Sequence, residues 1–368
     1  MFRIRRSNVI FLSALLLLNA GALMSQTREV SQTRDRAAAL IHESVDESKL
    51  VTLAGNTRSE AATAQDLGVA PDSLSLDHML LQLKRPPEQE QAVEQRIAAL
   101  HNPQSPNFHQ WLTAADFGKE YGLADSDIQT ITRWLESEGF TVNSVYPNGL
   151  LIDFSGNAGQ VRRAFHTSIH NVEVNGVHHI ANASDPMIPA ALAPAVAGIV
   201  SLHDFRPKKM SRPKYTFTMQ QLPYQALVPA DMATIYDFNP LFAKGLTGEG
   251  QTIVVIEDTD LFSSLDWNNF RKTFGLTQYT SGSLATVHPA PPSGTNNCAA
   301  PGVNTDDDEA ILDAEWASAG APGAAIVVAA CGDTSSPTSG LITAMQNLVN
   351  ASSPPAILSV SYGFLRSL

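Results

Sequence analysis

The sequence predicts an α+β unit built on antiparallel strands, followed by an α/β unit built on a parallel sheet with helices. Three observations carry this expectation. In the first half, strand-like and helix-like runs alternate, and the strands turn at Asn148-Gly149 and Asn175-Gly176, strong hairpin signals. In the second half the strand-like runs are short, β-branched and without polar alternation, as in strands covered on both faces. Between them, Arg206-Pro207-Lys208-Lys209 and Arg212-Pro213-Lys214 form a basic, proline-punctuated stretch, read as an exposed linker open to proteolysis.

Taken in order, residues 26–69 are polar and rich in Ala, Ser and Thr, a loosely ordered lead-in. Residues 78–83 (HMLLQL) read as a strand. Val93, Ile97 and Leu100 recur at helical spacing, as do Ile128, Ile131 and Leu135 in a helix started by Asp125 or Ser126 and stopped by Gly139. Strands over 140–146 and 150–154, a short helix over 161–165 and the second hairpin complete the unit, bounded at 70–205. After the linker, 206–230, the chain changes grammar. Strands at 251–256 (QTIVVI), 325–330 (AIVVAA) and 356–360 (AILSV) alternate with helices at 265–274, 306–319 and 341–349. That order implies parallel βαβ units over 231–368.

Charge divides the same way. The formal charge is −12, which excludes nucleic acid as a natural partner. Residues 231–368 hold 14 Asp and Glu against 4 Lys and Arg, whereas nine of the ten histidines precede Arg206. Histidines of the first half facing carboxylates of the second would make the contact between them sensitive to acid.

Residues 1–25 read as an export signal. Arg3, Arg5 and Arg6 precede an apolar run at 9–18, and Ala20-Gly21-Ala22 offers a cleavage site. The run is short of the roughly 20 residues that span a bilayer, so a stable membrane anchor is not expected. The product is secreted or periplasmic. There Cys298 and Cys331, which lack metal-ligand spacing, are expected to form a disulfide. No metal ligands and no cofactor site are read in the chain.

Chemistry is expected at the carboxyl ends of the parallel strands. Glu257-Asp258, the helix over 306–319 and Ser361-Tyr362-Gly363 meet there. Glu309 and Asp313 lie four residues apart, on one helical face. Two close carboxyls share a proton, which suits general-base activation of a hydroxyl without histidine. Carboxylates at a helix N-terminus are also stabilising with no chemistry at all, and on the helix alone that reading stands beside the first.

The order of segments adds more. D-D-D-E-A-I-L-D-A-E-W-A-S-A-G-A-P-G-A (306–324), after G-x-G-Q-x-I-V-V-I-E (248–257) and before S-V-S-Y-G (359–363), resembles the sedolisin family of serine-carboxyl peptidases. S-P-N-F-H-Q-W-L-T (105–113) and L-x-P-A-D-M-A-T-I-Y (227–236) resemble that family's activation domain and its junction to the mature enzyme. The resemblance implies a subtilisin-like fold in which Glu309 is the base, Asp313 orients it and shares its proton, and Glu257 supports both. It also implies that Ser361, Tyr362 and Gly363 pair with substrate backbone, although the family commonly has Trp where Tyr362 stands. Its oxyanion G-D-S-G and nucleophile G-T-S segments would follow Gly363, and Cys331-Gly332-Asp333-Thr334 precedes it, in the wrong order for either. Calcium is implied for the complete enzyme, with ligands beyond the C-terminus.

The expected protein is thus a secreted endopeptidase or tripeptidyl-peptidase precursor, truncated before its nucleophile and inactive as this fragment. Its partners would be a peptide or protein substrate and its own activation domain, acting as an intramolecular inhibitor. The alternative is a non-catalytic inhibitor or folding template for a related peptidase. An ordinary subtilisin-like enzyme would need a helix-borne histidine, and His288 lies in a Pro/Gly/Ser-rich loop.

Overall fold

The computed structural model describes residues 38–210, 227–334 and 338–363. The expected signal segment, residues 26–37 of the lead-in, and Arg212 and Lys214 of the linker lie outside the described residues.

The first part opens with β1 (Leu50–Thr52), α1 (Ser59–Thr63) and β2 (Gln65–Val69), so the lead-in is structured where a loose chain was expected. The reason is pairing and capping by distant residues. The Asp127 carboxylate accepts the amides of Leu40 and Ile41, β1 pairs with β8 (Met187–Pro189), and β2 pairs with β6 (Ile169–Val174). Next come β3 (Ser75–Leu83), α2 (Pro87–His101), α3 (Ala114–Tyr121), α4 (Asp125–Ser137), β4 (Thr141–Val145), β5 (Leu151–Asn157) and α5 (Ala158–Ala164). The hairpin of β6 and β7 (Val177–Asn182) turns at Asn175 and Gly176, both at positive φ, which is why that pair stands there. With β9 (Val196–Val200), the antiparallel sheet runs β4-β5-β3-β9. One core lies against it, with Phe154, Phe165, Ile131 and Leu135 all essentially inaccessible to water.

The second part contains α6 (Pro229–Ile235), α7 (Asn239–Ala243), β11 (Thr252–Glu257), α8 (Ser264–Thr273), β12 (Ser283–Val287), α9 (Asp307–Gly320), β13 (Ala325–Ala330), α10 (Gly340–Val349), β14 (Ile357–Val360) and β15 (Tyr362–Gly363). Its four-stranded sheet is parallel, ordered β12-β13-β11-β14. Val255, Ile326 and Val328 pack with Trp267 of α8 and Ala314 of α9, whereas Ile256 packs with Leu341 and Ala344 of α10. Successive residues of β11 thus feed different cores, which is why the run has no polar alternation.

The described residues form one compact unit, and the contact between its two parts is largely polar. Tyr146 donates its hydroxyl to Asn347 Oδ1 at 3.0 Å, and Asn297 Nδ2 donates to Tyr146 and to Asp153. Asn347 Nδ2 donates to Asn297 Oδ1 at 2.7 Å, and Thr338 donates its hydroxyl to the His78 carbonyl. The loop before Cys298 reaches this seam through Gly294, where a Cβ would lie 2.3 Å from the Asn143 carbonyl. Histidine contacts across the seam were expected, but the observed pairs are internal. His78 meets Asp153, His170 meets Asp66, His178 meets Glu173 and His179 meets Asp204, all in the first part, and His288 meets Asp260 in the second. In the first part each carboxylate sits on a neighbouring strand or the following segment, so the local sheet claims the histidine first.

Candidate active site

In the order β12-β13-β11-β14 the connection from β13 to β14 passes over β11, so the crevice between the ends of β11 and β14 is a switch point of the sheet. Glu257 ends β11 there and is fully buried. α9 begins beside it. Asp307, Asp308 and Glu309 in its first turn favour the positive helix end, while Ala310, Ala314 and Ala319 give it a small-residue face that seats closely on the sheet. That packing turns Glu309 inward to 2% exposure. One turn on, Asp313 accepts the Ser361 hydroxyl at 2.5 Å.

Burial, followed by the Asp313 charge, pushes the Glu257 carboxyl up to about 9. Burial also raises Asp313, against the opposing hydrogen bond from Ser361, and raises Asp258. At neutral pH Glu257 therefore carries a proton, and the geometry shows where it goes. The Tyr362 hydroxyl lies 3.1 Å from Glu257 Oε2 and 3.0 Å from Asp258 Oδ1. A phenol has one proton to give, so Glu257 donates to the Tyr362 oxygen and Tyr362 donates to Asp258. An indole at this position could donate but not accept. A Tyr362→Phe variant is expected to lose about 1–2 kcal/mol in chemical denaturation, since it leaves the buried Glu257 proton without an acceptor and the half-buried Asp258 carboxylate without its donor. Equal stability of the two proteins would remove the relay.

A second strand lies at this edge. β10 (Lys208–Lys209) pairs antiparallel with β15, Lys208 opposite Gly363 and Lys209 opposite Tyr362, and the Met210 amide donates to the Ser361 carbonyl at 3.0 Å. Arg206 pairs with Asp333 at 2.9 Å, and Lys209 pairs with Asp306 at 3.2 Å and Asp308 at 2.6 Å. The start of the linker is therefore docked where a free segment was expected. Its cations meet acids that the sequence places about a hundred residues away.

Residues 63–205 match the family described as Pro-kumamolisin, activation domain. Over 239 residues the chain is 29% identical to xanthomonalisin of Xanthomonas sp. (strain T-22), covering 60% of this chain and 27% of that protein. Over 327 residues it is 27% identical to kumamolisin of Bacillus sp. (strain MN-32), covering 86% of this chain and 56% of that protein. A third relative, sedolisin of Pseudomonas sp. (strain 101), is 28% identical over 127 residues, 34% of this chain and 21% of that protein. The chain is a sedolisin-family precursor. It spans between about a fifth and just over half of the length of these relatives.

In this sedolisin-family chain Glu257, Glu309, Asp313, Ser361, Tyr362 and Gly363 converge on one crevice. Cys298 and Cys331 are bonded to each other with Cα atoms 4.9 Å apart, tying the loop before α9 to the end of β13. Asp258, Asp306, Asp308 and Asp333 lie beside the crevice; sequence reasoning placed Asp258 and the start of α9 at this edge but gave none of the four a role in the chemistry. For Asp258 the available signal was its place directly after Glu257 at a strand end. Among the described residues no group of three or more His, Cys, Asp or Glu side chains is arranged to hold a metal ion.

Proposed function

We propose that this chain carries the activation domain and part of the peptidase domain of a secreted serine-carboxyl peptidase, an endopeptidase or tripeptidyl-peptidase that works in acid. Glu309 is its general base, Asp313 orients and shares the proton, and Glu257 supports both as a protonated hydrogen-bond donor. The edge Ser361–Tyr362–Gly363 takes the substrate backbone within a subtilisin-like sheet. The observation that carries this reading is the docked strand. A peptide segment already lies antiparallel on Tyr362-Gly363, at the mouth of a crevice whose carboxyls Glu257 and Asp313 are hydrogen-bonded to the hydroxyls of Tyr362 and Ser361. Such a segment occludes the site, which is the inhibitory part assigned to the activation domain. Export is supported by the n-region arginines and the apolar run of the leader, and no described helix is long and apolar enough to cross a membrane.

The 368 residues contain no Gly-Thr-Ser segment, the form expected of the nucleophile. Purified chain is therefore expected to hydrolyse no peptide between about pH 3 and 5, the range in which ordinary carboxyls titrate. Ser361 is the control, because its hydroxyl already donates to Asp313. Hydrolysis abolished by Glu309→Gln and by Ser361→Ala would make Ser361 the nucleophile and overturn its assignment to the substrate strand. Joining the chain to a Gly-Thr-Ser-bearing C-terminal half should restore hydrolysis that Glu309→Gln abolishes. Hydrolysis unaffected by that change would refute the base assignment.

A further inference from the structure

We propose that Asp306, Asp308 and the Thr305 carbonyl form a substrate subsite for a basic side chain, best matched to lysine. The inference rests on the reading of Ser361–Tyr362–Gly363 as the substrate edge and deepens it. Two independent observations meet. The backbone of β10 pairs with β15 in the antiparallel register a substrate strand would adopt. In that register Lys209, opposite Tyr362, delivers its ammonium to an acidic corner at the start of α9. Lys209 Nζ donates to Asp308 Oδ1 at 2.6 Å, lies 3.2 Å from Asp306 Oδ1 and reaches the Thr305 carbonyl at 3.3 Å.

Three acceptors around one nitrogen satisfy the three hydrogens of a primary ammonium. A guanidinium, planar and forked, fits such a corner less completely, and a neutral side chain leaves both carboxylates to water. The Lys209 side chain is 27% exposed, so the corner is partly desolvated, and the bond to Asp308 raises the lysine further above its usual range. Any chain that pairs with β15 as β10 does presents its own side chain to the same three oxygens. The acids therefore sort substrates as well as hold the linker.

Exposed ion pairs contribute modestly, and two together are expected to give about five- to tenfold discrimination. The test is amide hydrogen exchange of the full-length chain, read at Met210, whose N–H is held by the Ser361 carbonyl. Exchange should stay slow with Lys209→Arg, within about twofold of wild type, and rise about five- to tenfold with Lys209→Met. Asp306→Asn with Asp308→Asn should raise it as much in the lysine background and add nothing to Lys209→Met. Asp308→Asn alone, at an exposed carboxylate, gives a milder version that leaves the fold intact. Unchanged exchange at buried Val255 certifies that each variant is folded. If Lys209→Met exchanges as slowly as wild type, the subsite is indifferent to charge and the inference falls, while the edge reading stands. If Met210 is unprotected in the wild type, the strand is not seated, and the edge reading falls together with the inference.

Discussion

A Glu257→Gln variant should resist the loss of stability that wild type suffers between pH 4.5 and 7, a difference of about 3 kcal/mol. Folding lifts this carboxyl to about 9 through burial and the neighbouring Asp313. In that window the folded chain holds a proton that the unfolded chain has released. Stability is therefore complete below the unfolded value and declines as pH rises toward the folded one. Glutamine keeps a donor for the Tyr362 oxygen and takes up no proton, so its profile lacks this decline. Urea midpoints measured from pH 4.5 to 8 decide the matter. Parallel profiles for the two proteins would mean that Glu257 ionises in the fold and that the relay through Tyr362 runs the other way.

His203 should act with the opposite sign. Burial, aided by the Arg58 charge, pushes its imidazole down to about 4, against weaker opposing effects of Asp204 and Glu60. Its Nδ1 has no hydrogen-bond partner among the described residues, and its ring lies 5.7 Å from that of Phe205. Between pH 6.5 and 4 the unfolded chain binds a proton that the folded chain refuses, so the activation part loses up to about 3 kcal/mol as acid is added. His78, raised mainly by its bond to Asp153, works in the other direction and retains its contribution in acid. His203→Asn is expected to match wild type near pH 7 and to exceed it by about 2–3 kcal/mol near pH 4. An acid limb equally steep in both proteins would place the sensitivity elsewhere. Together the two groups set a direction: acid weakens the first part while it strengthens the second.

Much of the second part is legible in sequence because burial on both faces leaves an unmistakable run. AIVVAA is the strand 325–330, and the acidic start of α9 lies within one residue of its expected place. β12 escapes because it is an edge strand whose Ser, Ala, Thr and Val are largely exposed, so it lacks the apolar signal. β10 escapes for a different reason. Two lysines have no strand character of their own, and their extended form is imposed by β15 and by acids far along the chain. In the crevice, Glu257, Glu309 and Asp313 are readable from strand end and helical spacing. The Tyr362 relay to Asp258 spans 104 residues and has no local pattern. The histidines mislead because composition counts them by segment, while the four of the first part that pair with carboxylates do so within that part.

The seam of Tyr146, Asn297, Asn347 and Thr338 carries a consequence for how the two parts come apart. Each has its own oily interior, and the apolar patch shared across the seam is small, with Leu80, Tyr146 and Leu151 on one side and Ile342 on the other. Amides and hydroxyls that lose each other here are met at once by water, so little is lost per bond when the surfaces separate. Neither face would then show the broad greasy patch that drives clumping. Such a junction behaves like a wet adhesive: firm while undisturbed, and able to release two clean surfaces.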